Sequence, residues 1–252
     1  MSSNPVLLIH GAWQGAWSWA RLTPILEREG LQVIQANLPG NGTDGSDPAL
    51  ITLQAYLDYL DKLIEGCDEI SVVGHSGGGM IGSALGEHNM RVARIAYVAG
   101  MMMPAGRTFA EVRAEGMNGS DAMPGVAPFL HWSRDGLVSS VPEKVAQEIF
   151  FSNCPPEAAR NAAALLTPQG DGARSIQLGS VERVKKLRRL YIEAAKDRSV
   201  PLGVQRLMQA LMPGALVATL PSGHAPQLSM PQELAEILLP FLKGARDCEK
   251  PE

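Results

Sequence analysis

Five residues, Gly74-His75-Ser76-Gly77-Gly78, constrain this chain more than any others. They follow an apolar run at 70–73 and precede a helix-like stretch at 79–87. A G-x-S-x-G sequence in that setting predicts a turn so tight that neighbouring Cβ atoms would collide, which is why glycines flank the serine. Such a turn raises the serine hydroxyl above the sheet and marks Ser76 as a candidate nucleophile. A phosphate cradle is the competing use of a glycine-rich strand-to-helix turn. No G-K-S/T follows here, and no G-x-G-x-x-G fits the spacing.

A turn of this type needs a sheet behind it. Short runs at 6–9, 33–37, 70–73, 95–98, 190–192 and 216–220 read as strands, being apolar, mostly β-branched and bounded by Gly, Pro or Asn. Helix-like segments lie between them at 20–29, 53–64, 79–87, 203–211 and 231–242, the last opened by Pro231 after Ser229. The alternation predicts an α/β fold, a mostly parallel sheet of about six strands flanked by helices. The rhythm stops between 107 and 185. That stretch has no strand-like run, several prolines, and helical patterns at 143–151 and 156–166. It predicts a helical cap over the strand C-termini, inserted between a first core segment at 1–106 and a second at 186–252.

A serine hydroxyl needs a base within hydrogen-bond reach. Of five histidines, His224 sits in Pro221-Ser222-Gly223-His224, between the last strand and the last helix. His75 belongs to the serine turn, His10 to the loop after the first strand, His88 to a polar helix end and His131 to the insertion. The base needs a carboxylate to set its tautomer. Asp197 follows the penultimate strand, giving the chain order Ser76, Asp197, His224 that such a fold imposes; Glu193 and Asp171 are weaker candidates. Two backbone N–H donors complete the set. One is Gly77; the other is Ala12, in His10-Gly11-Ala12-Trp13 after the first strand. Candidates for the pocket wall are Trp13, His75 and the run Met101, Met102, Met103 at the active edge of the sheet. For Trp17 and Trp19 the core is the expected place, with the wall as the alternative; Ile149, Phe150, Leu165 and Leu166 fit either the wall or the anchoring of the cap.

Composition bounds the rest. Of 252 residues, 45% are apolar and 19% charged, which suits a globular chain with a real core. Lys+Arg 22 against Asp+Glu 26 leaves a formal charge of -4, with no basic excess to neutralise phosphates, so nucleic acid is not an expected partner. The longest apolar stretch, near 95–103, is about half of what a membrane helix needs, and the N-terminus carries no basic, signal-like segment. Cys67, Cys154 and Cys248 are too few and too scattered for a disulfide framework or a zinc cage. These features lead to an expectation of a cytoplasmic protein without membrane partners, and leave a homodimer open.

Taken together, His10-Gly11-Ala12-Trp13-x3-Trp17-x-Trp19, Gly74-His75-Ser76-Gly77-Gly78, Asp197 and Gly223-His224 resemble the α/β-hydrolase superfamily. The chain is most similar to the branch holding plant methyl-ester esterases, hydroxynitrile lyases and bacterial carboxylesterases of the pyrethroid-hydrolysing type. The resemblance implies a six-stranded parallel sheet with a helical cap, and a serine esterase that needs no cofactor and no metal; the cap and the methionine run point to apolar or aromatic esters of small to medium size. Two positions depart from the lyases, which carry a threonine after the first-strand histidine and a lysine after the catalytic one. Here these are Gly11 and Ala225, so the positive charge that would stabilise departing cyanide is missing. A non-hydrolytic enzyme of the same fold, lyase-like or a cofactor-free oxygenase, and a ligand-sensing receptor remain the alternatives.

Overall fold

A computed structural model describes residues 5–41, 44–117 and 124–244, without the side chains of Ala173 and Arg174. Six strands form one parallel sheet: β1 (Val6–Ile9), β2 (Val33–Gln35), β3 (Ile70–His75), β4 (Val92–Val98), β8 (Arg188–Ala194) and β9 (Leu216–Leu220), in the order β2-β1-β3-β4-β8-β9. Side chains alternate across it. Leu7, Ile9, Ile95 and Tyr97 enter a core on one face with residues of α2 (Leu53–Leu63), α3 (Gly77–His88) and α9 (Leu202–Leu211). Val6, Leu8, Ala96 and Val98 enter a second core with α1 (Thr23–Arg28) and α11 (Pro231–Leu242). Each fully buried Leu, Ile or Val adds roughly 1.5–3 kcal/mol, so a sheet buried on both faces carries most of the stabilisation.

The order explains where chemistry can sit. The chain runs outward from β1 to β2, returns to β3 on the other side, and so opens a crevice at the strand C-termini. The loops after β1, β3, β4, β8 and β9 all emerge there.

Among the described residues, no segment between β4 and β8 joins this sheet. That stretch contains α4 (Phe109–Gly116), β5 (His131–Trp132), β6 (Val138–Ser140), α5 (Glu143–Ile149), α6 (Pro156–Ala164), β7 (Gln169–Gly170), α7 (Asp171–Arg174) and α8 (Glu182–Lys186). The expectation that it holds no strand is corrected: β5, β6 and β7 make a small antiparallel sheet. Strands of two or three residues are too short to register as alternation. Helix α4 also escaped the pattern reading, although Thr108-x-x-Glu111 forms a full capping box at its start. The helix expected at 20–29 is shorter, α1 alone at Thr23–Arg28, because Pro24 has no N–H to donate and belongs in a first turn; a 3₁₀ turn at Ala16–Trp19 precedes it. Helices α5 and α6 pack a third apolar cluster onto Trp13, Ala225 and Leu228, the last of these on α10 (Pro226–Ser229).

Among the described residues no helix is long and apolar enough to cross a membrane. Cys67 and Cys154 are free thiols; Cys248 and Met1 to Asn4 lie outside the described residues.

Candidate active site

Ser76 occupies the turn between β3 and α3 with φ 51° and ψ −124°, a conformation side chains rarely adopt. The backbone around it enforces this. Ser76 N–H donates to the Val98 carbonyl at 3.2 Å, and its own carbonyl accepts from Gly79 N–H at 3.0 Å and Met101 N–H at 2.8 Å. A Cβ on Gly74 would stand 2.6 Å from the Gly78 carbonyl oxygen, and one on Gly78 would run into the Ile9 and His10 carbonyls. The glycines predicted from the motif are therefore dictated by backbone on both sides of the turn.

The loop after β9 brings His224 to Ser76, with Nε2 3.1 Å from Oγ. Its other ring nitrogen lies 2.7 Å from Asp197 Oδ2. The remaining Asp197 oxygen accepts from Ser199 N–H at 2.7 Å and Val200 N–H at 2.9 Å, which fixes the carboxylate from behind. Gln205, on α9, locks that loop further. Its amide donates to the Ala194 and Val200 carbonyls and accepts from Ala194 N–H, and it is fully buried. Glu193 points elsewhere, bonded to Arg206, Gln209 and Thr219. Burial works against its charge, but those three bonds outweigh it and hold its carboxyl below the usual range. Asp171 lies on α7 and accepts from Ser175.

The other histidines separate cleanly. His10 is held between the Gly11 carbonyl, to which Nδ1–H donates at 2.9 Å, and Leu38 N–H, which donates to Nε2 at 3.1 Å. Burial lowers its pKa to about 4, so it is neutral. His75 is buried behind His224: its Nε2–H donates to the His224 carbonyl at 2.7 Å, and its other nitrogen faces the Gln14 side-chain amide at 3.2 Å. Desolvation, with His224 nearby, pushes its pKa well below the ordinary value. His88 pairs with Asp61 on the surface.

Ser76 and His224 open onto a cavity of about 370 Å³. Ala12, Trp13, Gly77 and Met101 line it as well. Its walls are largely apolar, with Leu38, Met80, Ile81, Phe109, Val126 and Phe150 among them. A Cβ on Gly77 would lie 3.8 Å from Ala12 N, so the two predicted amides flank one space. Three wall candidates belong elsewhere. Met102 and Met103 are fully buried in the sheet core, since consecutive residues leaving β4 cannot all face one cavity. His75 supports His224 from behind and does not line the cavity. Phe150 is the one wall residue from α5 and its end, stacked 5.9 Å from Trp13, while Leu165 is half exposed. Trp19 belongs to the core. Tyr56 and Gln169 also line the cavity; Tyr56 sits on the apolar stripe of the helix expected at 53–64, which reads as core, and Gln169 falls in no motif and on no regular period.

The two positions that differ from lyases have structural counterparts. A Cβ on Gly11 would stand 3.0 Å from Ser76 Cβ and 3.1 Å from His75 Nδ1, so glycine leaves the space above the serine clear. Ala225 is buried in the third apolar cluster and brings no charge. Among the described residues no three His, Cys, Asp or Glu side chains converge as a metal-holding group. A polar hollow lined by Asp68, His88, Asn89, Met90 and Arg91 lies before β4, at the opposite end of the sheet.

Residues 6–237 match the alpha/beta hydrolase family. The chain belongs to that family. It is 28% identical over 248 residues to the pyrethroid hydrolase of Sphingobium wenxiniae, covering 96% of this chain and 88% of that one. It is 26% identical to a putative chloroplastic methylesterase 13 of Arabidopsis thaliana, over 95% of this chain but only 57% of the longer plant protein. The crystal structure of a pyrethroid hydrolase from Sphingobium faniae superposes with a TM-score of 0.85 at 27% identity, covering 96% of this chain and 98% of that one. In this alpha/beta hydrolase the fold expected from the sequence, a six-stranded parallel sheet between helices, is the fold observed.

Proposed function

We propose that this protein hydrolyses carboxylic esters through an acyl-enzyme, with Ser76 as nucleophile, His224 as base and Asp197 as the carboxylate that orients it. The observation that carries this reading is the hydrogen-bond line from Asp197 through His224 to Ser76, ending at an apolar cavity. Relatives named as esterases and hydrolases support the same activity class.

His224 Nε2 takes the Ser76 proton as Oγ attacks the ester carbonyl, while Nδ1–H stays donated to Asp197. The tetrahedral oxyanion rests on the N–H groups of Ala12 and Gly77. Collapse expels the alkoxide, which takes the proton from His224. Water then enters, gives its proton to His224 and attacks the acyl carbonyl, and Ser76 leaves reprotonated. Residues 107–185 act in this reading as a cap, supplying Phe109, Val126 and Phe150 to the wall, which suits apolar or aromatic esters of small to medium size.

The test is a panel of p-nitrophenyl esters together with a serine-reactive phosphonate. Turnover with labelling at Ser76 is the expected result. Ligand-induced thermal shift without turnover would select a receptor instead. Ser76-dependent cyanide release from mandelonitrile with negligible ester turnover would select a lyase; Ala225 and the open space at Gly11 argue against that outcome.

A further inference from the structure

Trp13 stands at φ 60°. For a bulky residue this region costs of order 1–3 kcal/mol and persists only where surroundings impose it. The bonds that impose it come from the stretch between β4 and β8. Trp13 N–H donates to Gln169 Oε1 at 3.2 Å, its carbonyl accepts from Thr167 N–H at 2.9 Å, and its indole N–H donates to Ser139 Oγ at 3.2 Å. The backbone and side-chain polar groups of one strained residue are thus all engaged by a segment more than a hundred residues away.

Gln169 is itself immobilised. Its Oε1 also accepts from Asn41 Nδ2 at 2.8 Å, and its Nε2 donates to Tyr56 Oη at 3.1 Å. Tyr56 in turn donates to Asn41 Oδ1 at 3.1 Å, closing a ring of three buried side chains. A Cβ on the next residue, Gly170, would run into the Pro48 carbonyl oxygen, so β7 lies directly against the 3₁₀ turn at Pro48–Leu50. A buried amide with every polar atom satisfied holds its partner far more firmly than an exposed one.

The peptide that carries Trp13 N–H is joined to Ala12, whose own N–H faces the space beside Gly77. We propose that Gln169 is a positioning residue for the oxyanion hole: by fixing Trp13 N–H it sets the rotation of the Ala12–Trp13 peptide and so the aim of the Ala12 amide. The proposal rests on the reading of Ala12 and Gly77 as oxyanion donors. It gives the stretch between β4 and β8 a part in transition-state stabilisation beyond walling the cavity.

Gln169→Met keeps the side-chain length and removes the acceptor. On p-nitrophenyl acetate it is expected to lower kcat by about tenfold to a hundredfold, below the cost of deleting an oxyanion donor outright, with KM within about twofold. Affinity for a trifluoromethyl ketone, whose Ser76 hemiketal puts an oxyanion in the same place, falls by the same factor. Amide hydrogen exchange at Trp13 speeds up. Gln169→Asn, too short to reach, is the second variant should the first fail to fold, and shows the same split. Asn41→Ala removes both of its ring bonds, to Gln169 Oε1 and from Tyr56 Oη; it loosens Gln169 without deleting the acceptor for Trp13 N–H, and is expected to lower kcat by less than Gln169→Met. Unchanged kcat in both Gln169 variants, or a rise in KM alone, would overturn the proposal. Absence of any Ser76-dependent turnover would instead overturn the esterase reading, and the Trp13 exchange rates would still report whether Gln169 holds that loop.

Discussion

Ser76 and Trp13 line one cavity and share one backbone peculiarity, a left-handed φ of 51° and 60°. They reach it by opposite means. The serine turn is held by its immediate surroundings, with glycines two residues to either side, a bond from Gly79 in the first turn of α3, and bonds to Val98 and from Met101 at and just past the end of β4. The tryptophan turn is held by side chains 126 and 156 positions away in sequence. Strain specified locally leaves a motif in the sequence; strain specified at long range leaves none, because the residues that impose it are ordinary in their own neighbourhoods.

The largest effect expected tests the local half. Ser76→Ala removes the hydroxyl from a turn that already accommodates a Cβ, so folding is preserved while kcat falls on the order of 10⁶-fold. Steady-state rates on a p-nitrophenyl ester, with circular dichroism as the check on folding, measure it. More than a few per cent residual activity in clean protein would remove Ser76 from the mechanism. Next in size is Asp197→Asn, expected to lower kcat by about 10⁴ by leaving His224 in the wrong tautomer. Glu193→Gln should change it only a few-fold, because Glu193 is engaged with Arg206, Gln209 and Thr219. Comparable losses in the two variants would mean that the carboxylate is misassigned.

The same division separates what was legible in the sequence from what was not. Strand positions, the six-stranded parallel sheet and the meeting of Ser76, Asp197 and His224 follow from short-range signals: apolar runs, glycine spacing and chain order. Gln169, Gln14 and Gln205 carry no such signal. A glutamine between Pro168 and Gly170 reads as a loop residue, and only the fold reveals that its amide is buried against Trp13, Asn41 and Tyr56. The methionine run misled for a related reason. Composition suggested one apolar wall, but the chain bends after β4, so Met101 faces the cavity while Met102 and Met103 enter the core. The short strands β5 to β7 exist by pairing with one another and not by any pattern of their own.

A pH experiment sharpens the comparison at the base of the tryptophan turn. Burial keeps His10 neutral, with a pKa of about 4 against 6.5 in an exposed chain. Between these values the unfolded protein binds more protons than the folded one, so stability is complete above pH 6.5 and drains away as pH falls toward 4. The loss from this group approaches about 3 kcal/mol at pH 4. Desolvation of His75 acts in the same direction. Urea unfolding at pH 7.5 and pH 4.5 should show a smaller acid-induced drop for His10→Gln than for wild type, on a lower starting stability. Parallel drops in the two proteins would mean that His10 is not the group titrating.

The smallest effect expected distinguishes the anchors on Trp13 from one another. Ser139→Ala deletes the acceptor for the indole N–H but leaves the Trp13 amide on Gln169 and its carbonyl on Thr167. Two buried hydrogen bonds are lost, the one from the indole and a longer one of 3.4 Å from the Ser139 hydroxyl to the Gln169 carbonyl, together worth about 2 kcal/mol, which for a chain of this size lowers Tm by roughly 4–8 °C. The backbone of the turn is still held at both its donor and its acceptor, and the ring still stacks on Phe150, so kcat should stay within about twofold of wild type. Thermal melts and steady-state kinetics on the same preparation give both numbers. A loss in kcat matching that of Gln169→Met would mean that the indole ring, and not the peptide beside Ala12, sets the loop, and the long-range hold on this turn would then run through packing of the side chain.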